Sequence, residues 1–285
     1  MYDFDAASLL LQWATGGLVF LWVTTRRREV SLGYGWLMRG TYGLMAAGAC
    51  YIGVAVIEPL PLRDLSSALV ALVALVVLGI SVWRKDAGVS GQRELAEQRS
   101  ARVAAMTGID REAKAKDATV PEFDPRLDLI APVIGMVGVI ASGYAAGSPE
   151  WLSIARFVVG ALFMGAVTDA MLLCHWYLVQ PGMARGPLNE LVRWTGWLAV
   201  PEILLLLIPT GMISALNGTI DDGYNGLLGW FWVACAVTTV GLVIVTRLAL
   251  KERQYSAVMA ATGLLYLAIL TAFGTDLVAR ALLSR

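Results

Sequence analysis

The chain has 285 residues, of which 58% are hydrophobic and only 15% are charged, whereas soluble domains carry about a quarter charged residues. Lysine and arginine together number 22, as do aspartate and glutamate, so the net charge is zero. The basic surface that nucleic-acid recognition requires is therefore not expected. This composition predicts an all-α, polytopic integral membrane protein that binds no nucleic acid.

Eight apolar runs are long enough to cross a bilayer, which takes about 20 helical residues. The runs cover residues 6–25, 36–57, 65–83, 127–147, 151–179, 188–214, 226–248 and 255–281. We expect a single membrane domain, with three transmembrane helices in residues 1–83 and five more in residues 127–285. Because residues 1–5 carry two acids and no base, the first run is interpreted as a retained helix rather than a signal peptide.

Residues 84–126 form the one long charged loop between these runs. Residues 91–106 are typical of a short surface helix, because Glu94 and Gln98 lie one turn apart. The stretch that follows has little apolar content and two prolines, which favours a linker. The loop is either a solvated connector or a docking site for another subunit.

The basic residues predict the orientation of the chain in the membrane. With the N-terminus outside, 18 of the 22 bases fall in the inner loops or helix ends, and only Arg63, Arg156, Arg280 and Arg285 fall outside. Cytoplasmic loops are rich in lysine and arginine, so we expect both termini on the outer side. Arginine outnumbers lysine 18 to 4, which favours a GC-rich bacterial genome and hence a bacterial inner membrane.

Ionisable residues within the apolar runs are candidates for function, because burying a charge without a partner is costly. Asp169 lies about 15 Å and Glu202 about 21 Å from the inner ends of their consecutive helices. A short turn joins these helices, so the two acids could form a proton- or cation-handling pair, form a structural hydrogen-bonded pair, or make no contact. Asp276 and Arg280 are spaced for a local ion pair.

Two prolines interrupt the sixth run near Glu202. Pro201 and Pro209 lack an amide hydrogen and so free the carbonyl groups of Trp197 and Leu205. Carbonyl groups at such helix breaks coordinate ions in many transporters. The prolines therefore add to the case for an ion or proton site.

The single histidine, His175, is the candidate for a redox or ligand role, together with Met171 and Trp176. Met171 lies one turn from His175 on the same helix face, so the two cannot ligate opposite sides of one haem iron. A partner protein would have to supply the second ligand. The structural alternative places His175 against the polar residues that begin the next helix, which are Asn189, Glu190 and Arg193.

Small residues recur at helical spacing in the fourth run, which predicts a packing seam within the membrane. The residues of this seam are Gly135, Gly138, Ser142 and Ala145. The seam could join helices of this chain or bind another subunit.

No motif of a known catalytic or metal site is visible, and the three cysteines lie far apart in the sequence. We therefore expect a non-catalytic membrane subunit or scaffold of a larger bacterial complex, a respiratory one among the options, with the bilayer and membrane proteins as partners. The first alternative is a proton- or cation-coupled secondary transporter that uses Asp169 and Glu202. The second is a quinone- or haem-handling redox subunit. No metal or cofactor is predicted, although the apolar surface could accept a lipid or quinone.

Overall fold

The computed structural model describes residues 5–94, 97–98, 121–180, 183–208, 211–252 and 254–283. It is 83% helical, and no strand occurs in these ranges, which confirms the all-α prediction. The helices are α1 (Ala6–Thr25), α2 (Leu32–Ala55), α3 (Pro61–Trp83), α4 (Ile130–Ala145), α5 (Glu150–Val179), α6 (Gly186–Leu207), α7 (Met212–Leu216), α8 (Leu227–Ala249) and α9 (Tyr255–Leu283). Short 3₁₀ turns occupy Lys85–Ala87 and Pro125–Leu129.

Each predicted run coincides with one long helix, except that the sixth run is broken. The sequence predicted one span over residues 188–214, but α6 ends at Leu207 and the short helix α7 begins at Met212. Ile208 is extended, with ψ at 140°, and so ends the helix. Pro209 itself lies outside the described residues.

Six of the helical segments are long and apolar enough to cross a membrane. They are α1, α3, the segment Pro125–Ala145, α5, α8 and α9. Large apolar side chains also lie exposed on outward faces, for example Leu72 on α3, Val137 on α4 and Val237 on α8. A soluble monomer rarely exposes so much contiguous apolar surface. These features fit a multi-pass membrane protein.

Helices α1 and α5 form the centre of the bundle. The most apolar stretch of α1 is 72% buried and that of α5 is 78% buried. Short turns make most consecutive long helices antiparallel, which gives the bundle two ends. We call the end where α1 begins and α9 finishes the termini end, and the opposite end, from which residues 84–126 leave, the loop end.

Paired glycines bring α1 and α5 into backbone contact. A Cβ on Gly165 would lie 2.1 Å from the carbonyl carbon of Gly16, and a Cβ on Gly16 would lie 1.7 Å from the carbonyl oxygen of Ala161. Real Cβ atoms do not approach so closely. This crossing therefore requires glycine on both helices, as close packing between membrane helices generally does.

The predicted small-residue seam on α4 is internal and shorter than expected. Gly135 faces Thr15 of α1, Gly138 lies between Leu11 of α1 and Ser66 of α3, and Ser142 is buried. Ala145, the fourth member, is exposed at the end of the helix, so the prediction was wrong at that position. It fails because the chain turns towards α5 just beyond it.

Both described ends of the long loop pack against the loop end of the bundle. Glu122 forms salt bridges with Arg28 and Arg93, and its carbonyl oxygen accepts a hydrogen bond from Arg84. Next to it, Phe123 is buried. Residues 90–94, 97 and 98 are helical, and the remainder of the predicted surface helix over 91–106 lies outside the described residues.

Candidate functional site: the buried polar groups of the bundle

Asp169 lies in the middle of α5 and is fully buried. Its Oδ1 accepts a hydrogen bond from the hydroxyl of Tyr42 on α2. Its Oδ2 has no hydrogen-bond partner among the described residues. The hydroxyl of Tyr34, also on α2, donates to the backbone oxygen of Asp169 at 3.4 Å. A carboxyl group thus sits between two tyrosines inside the bundle.

The local sequence explains how the tyrosines reach Asp169. Tyr34 and Tyr42 are eight residues apart on α2, close to two helical turns, so they project from roughly the same face. A Cβ on Gly17 of α1 would lie 1.9 Å from the ring of Tyr42. Glycine at position 17 therefore provides the space through which the Tyr42 ring passes.

A second polar cluster lies nearer the termini end. Arg280 of α9 donates from Nε to Asp276 at 2.8 Å, which confirms the predicted ion pair, and from Nη2 to the amide oxygen of Gln12 on α1. The amide nitrogen of Gln12 donates to the backbone oxygen of Phe157 at 2.7 Å. The cluster thus joins α1, α5 and α9 through side chains that are all buried.

Glu202 of α6 belongs to this second cluster. Its carboxyl oxygens lie 3.6 Å from the position that a Cβ on Gly160 of α5 would take. It interacts electrostatically with Asp276, Arg280 and Arg156. Two acids and two arginines therefore share one buried region, which is electrically balanced when all four are charged. Oε2 of Glu202 has no hydrogen-bond partner among the described residues.

Arg156 of α5 binds the carbonyl groups exposed where α6 ends. Its Nε donates to the backbone oxygen of Leu205 at 3.0 Å, and its Nη2 donates to that of Ile208 at 3.1 Å. Leu205 is the residue whose carbonyl Pro209 was predicted to free. The helix break predicted at Pro201 was wrong, because Pro201 lies within α6, which continues past it to Leu207.

The structure does not pair Asp169 with Glu202. Glu202 faces Gly160, whereas Asp169 lies nine residues further along α5, about 13 Å away along the helix axis. Their hydrogen-bonding and electrostatic partners are also different. The expectation of a directly coupled pair was therefore wrong in its geometry, because each acid meets a different level of α5. A proton- or cation-handling role for either acid remains a prediction.

His175 lies on the outside of the bundle instead of against the start of the next helix. Its Nδ1 lies 3.3 Å from the hydroxyl of Tyr266 on α9, and the two rings meet edge to face. Glu190, one of the neighbours predicted for His175, forms salt bridges with Arg26 and Arg27. The structural alternative was therefore wrong about the partner, because this face of α5 packs towards α9.

Met171 and Trp176 do not converge with His175. Met171 is buried in the core, whereas the indole nitrogen of Trp176 donates to Ser31 at 2.9 Å and its ring contacts Tyr34. In the part of the chain that the structure describes, no group of three histidine, cysteine or acidic residues could hold a metal ion.

One buried ion pair was missed by the sequence analysis. Arg39 of α2 donates from Nε and Nη2 to the two carboxyl oxygens of Asp128, both at 2.8 Å, and from Nη1 to Ser81 at 3.2 Å. Thr25 also donates to Asp128. An arginine within an apolar run needs an anion, but the sequence does not show which one, because Asp128 lies 89 residues away from Arg39.

Comparison with protein-family models, with curated proteins and with solved structures finds no match for this chain.

Proposed function

We propose that this chain spans a bacterial inner membrane eight times, with both termini outside, and serves as a non-catalytic subunit or scaffold of a larger membrane complex, a respiratory one among the options. In this proposal α2 and α6 also span the bilayer. Neighbouring helices would shield the polar side chains of α2 and α6 from lipid, and Arg39 and Glu202 are already buried in this way.

The observation that carries the proposal is the position of Arg156. In transporters with broken helices, carbonyl groups freed at the break coordinate ions. Here the guanidinium group of Arg156 donates to both Leu205 and Ile208. A tethered cation thus occupies the place that a mobile ion would need, and it joins α5 to α6. This arrangement favours a fixed framework over a moving carrier.

A photo-crosslinking scan of the outward faces tests the proposal. A photoreactive amino acid would replace one exposed apolar residue at a time in the full-length chain. The positions are Leu44, Leu72, Val137, Leu204, Val237 and Leu270. In native membranes, a subunit should crosslink in high yield to one defined protein from neighbouring positions, while the remaining positions should crosslink to lipid.

The matched control is each variant reconstituted alone in liposomes, where the protein crosslink should vanish and lipid crosslinks should remain. If all six positions crosslink only to lipid in native membranes as well, the chain has no stable protein neighbour on these faces. That outcome would overturn the subunit proposal.

The second candidate is a proton- or cation-coupled transporter that uses Asp169 and Glu202. The observation in its favour is that each acid is buried with one oxygen lacking a hydrogen-bond partner among the described residues. In this view, the balanced cluster around Glu202 would rearrange when the glutamate takes up a proton or a cation.

Variants of Glu202 separate the two candidates in proteoliposomes that contain a pH-sensitive dye. Glu202→Gln keeps shape and most hydrogen bonding but cannot titrate. A transporter should conduct protons under an imposed gradient, and Glu202→Gln should abolish that flux while the protein stays folded. A scaffold should show no flux in either protein, and Glu202→Leu should destabilise it by about 1–3 kcal/mol by leaving partners unpaired.

A further inference from the structure

We propose that the Asp169 side chain is a proton-binding site, and that the carboxyl group is held as the neutral acid in the resting bundle. This inference goes beyond the subunit proposal and does not depend on it, because Asp169 is enclosed by the chain's own helices. The ligand is a proton, which would be carried on the Oδ2 atom that lacks a partner.

The surroundings of Asp169 offer no positive charge. The titratable groups that face it are the hydroxyls of Tyr42 and Tyr34, both on α2. Helix α1 contributes glycines at positions 16 and 17 to this level of the bundle. No cation among the described residues forms a salt bridge with it or interacts with it electrostatically. A fully buried carboxylate with one hydrogen bond and no cation is strongly disfavoured relative to the neutral acid.

Two other buried acids show the contrast. Asp128 is bound by Arg39, and Asp276 is bound by Arg280. Each therefore has a cation that offsets its negative charge, whereas Asp169 has only a neutral hydroxyl.

Tyr34 and Tyr177 are further phenolic groups on the loop-end side of Asp169. Tyr34 contacts the backbone of Asp169 and lies close enough to Tyr177 to interact electrostatically. Tyr177 in turn interacts with Glu29, in the turn that follows α1. Release of the proton would break the O–H bond of the carboxyl group, leave a carboxylate hydrogen-bonded to Tyr42, and pass the proton to water.

Infrared spectroscopy of the full-length protein in lipid nanodiscs, with ¹³C-labelled aspartate, tests the site. At about pH 7, where an exposed aspartate is ionised, the labelled protein should show the carbonyl stretch of one protonated carboxyl group. Asp169→Asn should remove that band. Asp221→Asn, the same substitution at an exposed position, should keep the band and lose carboxylate absorption instead.

Tyr42→Phe provides a second readout in which Asp169 is retained. Loss of the hydroxyl removes the hydrogen bond to Oδ1, so the acid band should remain and move to higher frequency. The site is refuted if the unmodified protein has no protonated-acid band at about pH 7, or if the band survives Asp169→Asn. A band that does not move in Tyr42→Phe would also contradict the assignment, even if Asp169→Asn failed to fold.

Discussion

Three of the buried arginines bind different combinations of acceptors. Arg39 binds a carboxylate through two nitrogens, Arg280 binds a carboxylate and an amide, and Arg156 binds two backbone carbonyl groups. The planar guanidinium group has five donors in a fixed arrangement, which suits such multiple contacts. A lysine could not reproduce them, because its ammonium group is a compact point charge.

The free energy of unfolding should fall much more when one partner of the Arg39–Asp128 pair is removed than when both are removed. Arg39→Met leaves the buried Asp128 carboxylate without a cation, so we expect the free energy of unfolding in detergent to fall by about 3–5 kcal/mol. The double variant Arg39→Met, Asp128→Leu should recover much of that loss, since no charge remains buried. A double-mutant cycle measured by chemical or thermal denaturation provides the test. Equal destabilisation in the single and double variants would contradict it.

Asp222 should make stability depend on pH at the acidic end. Its carboxylate accepts hydrogen bonds from the backbone N–H groups of Gly226, Tyr224 and Leu228 at the start of α8, and these hold its pKa below the ordinary value. A lowered pKa means that the folded state favours the ionised form. The stabilisation is therefore complete above the unfolded pKa, near pH 4, and is lost as the pH falls through the folded pKa.

The check is the melting temperature of Asp222→Asn against the unmodified protein as a function of pH. The variant should be less stable at neutral pH, and the difference should shrink as the pH is lowered below about 4. Asp221→Asn is the control, because the Asp221 side chain accepts only a hydrogen bond from Gly223. A difference in stability that stays constant down to low pH would show that the charge of Asp222 is not involved.

At the scale of helices, the α1–α5 crossing should tolerate no added side chain. Gly165→Ala would place a methyl group against the Gly16 backbone, so the two central helices would have to separate. We expect destabilisation of about 1–3 kcal/mol or more. Gly79→Ala is the matched control, because a Cβ there meets no atom within 4 Å and alanine favours helix. Thermal unfolding of both variants in one detergent measures the difference, and equal melting temperatures would contradict the crossing.

The positions of the long helices were predictable from the sequence because apolar length alone marks them. Two helix breaks were predicted in the sixth run, but the helix ends only near Pro209, at Leu207, and continues through Pro201, because the apolar run itself does not show which proline ends a helix. The partners of the buried acids could not be predicted from the sequence either. Burial of Asp169 and Glu202 follows from their apolar neighbours, but their partners come from α2 and α9, which are distant in sequence.

At the scale of the whole molecule, charged side chains lie inside a largely apolar core, and many apolar side chains lie on the outside. Arg39 and Arg280 rank among the largest fully buried side chains, whereas Leu44, Val237 and Leu270 are largely exposed. Fully buried arginines and extended exposed apolar faces are both uncommon in soluble proteins. Both follow if the surrounding solvent is hydrocarbon, where buried polar contacts hold helices together and apolar surface costs nothing.

Reporter fusions test the proposed topology of the whole chain. Of the 22 basic residues, 18 fall in the predicted inner loops and helix ends, and cytoplasmic loops favour such residues. Fusions at residues 105 and 185 should therefore report the cytoplasm, and fusions at both termini should report the outer side. If α2 and α6, which lie outside the six most apolar segments, do not span, residue 105 should report the outer side, because only α1 and α3 would then precede it. A cytoplasmic C-terminus would likewise contradict eight spans with the N-terminus outside.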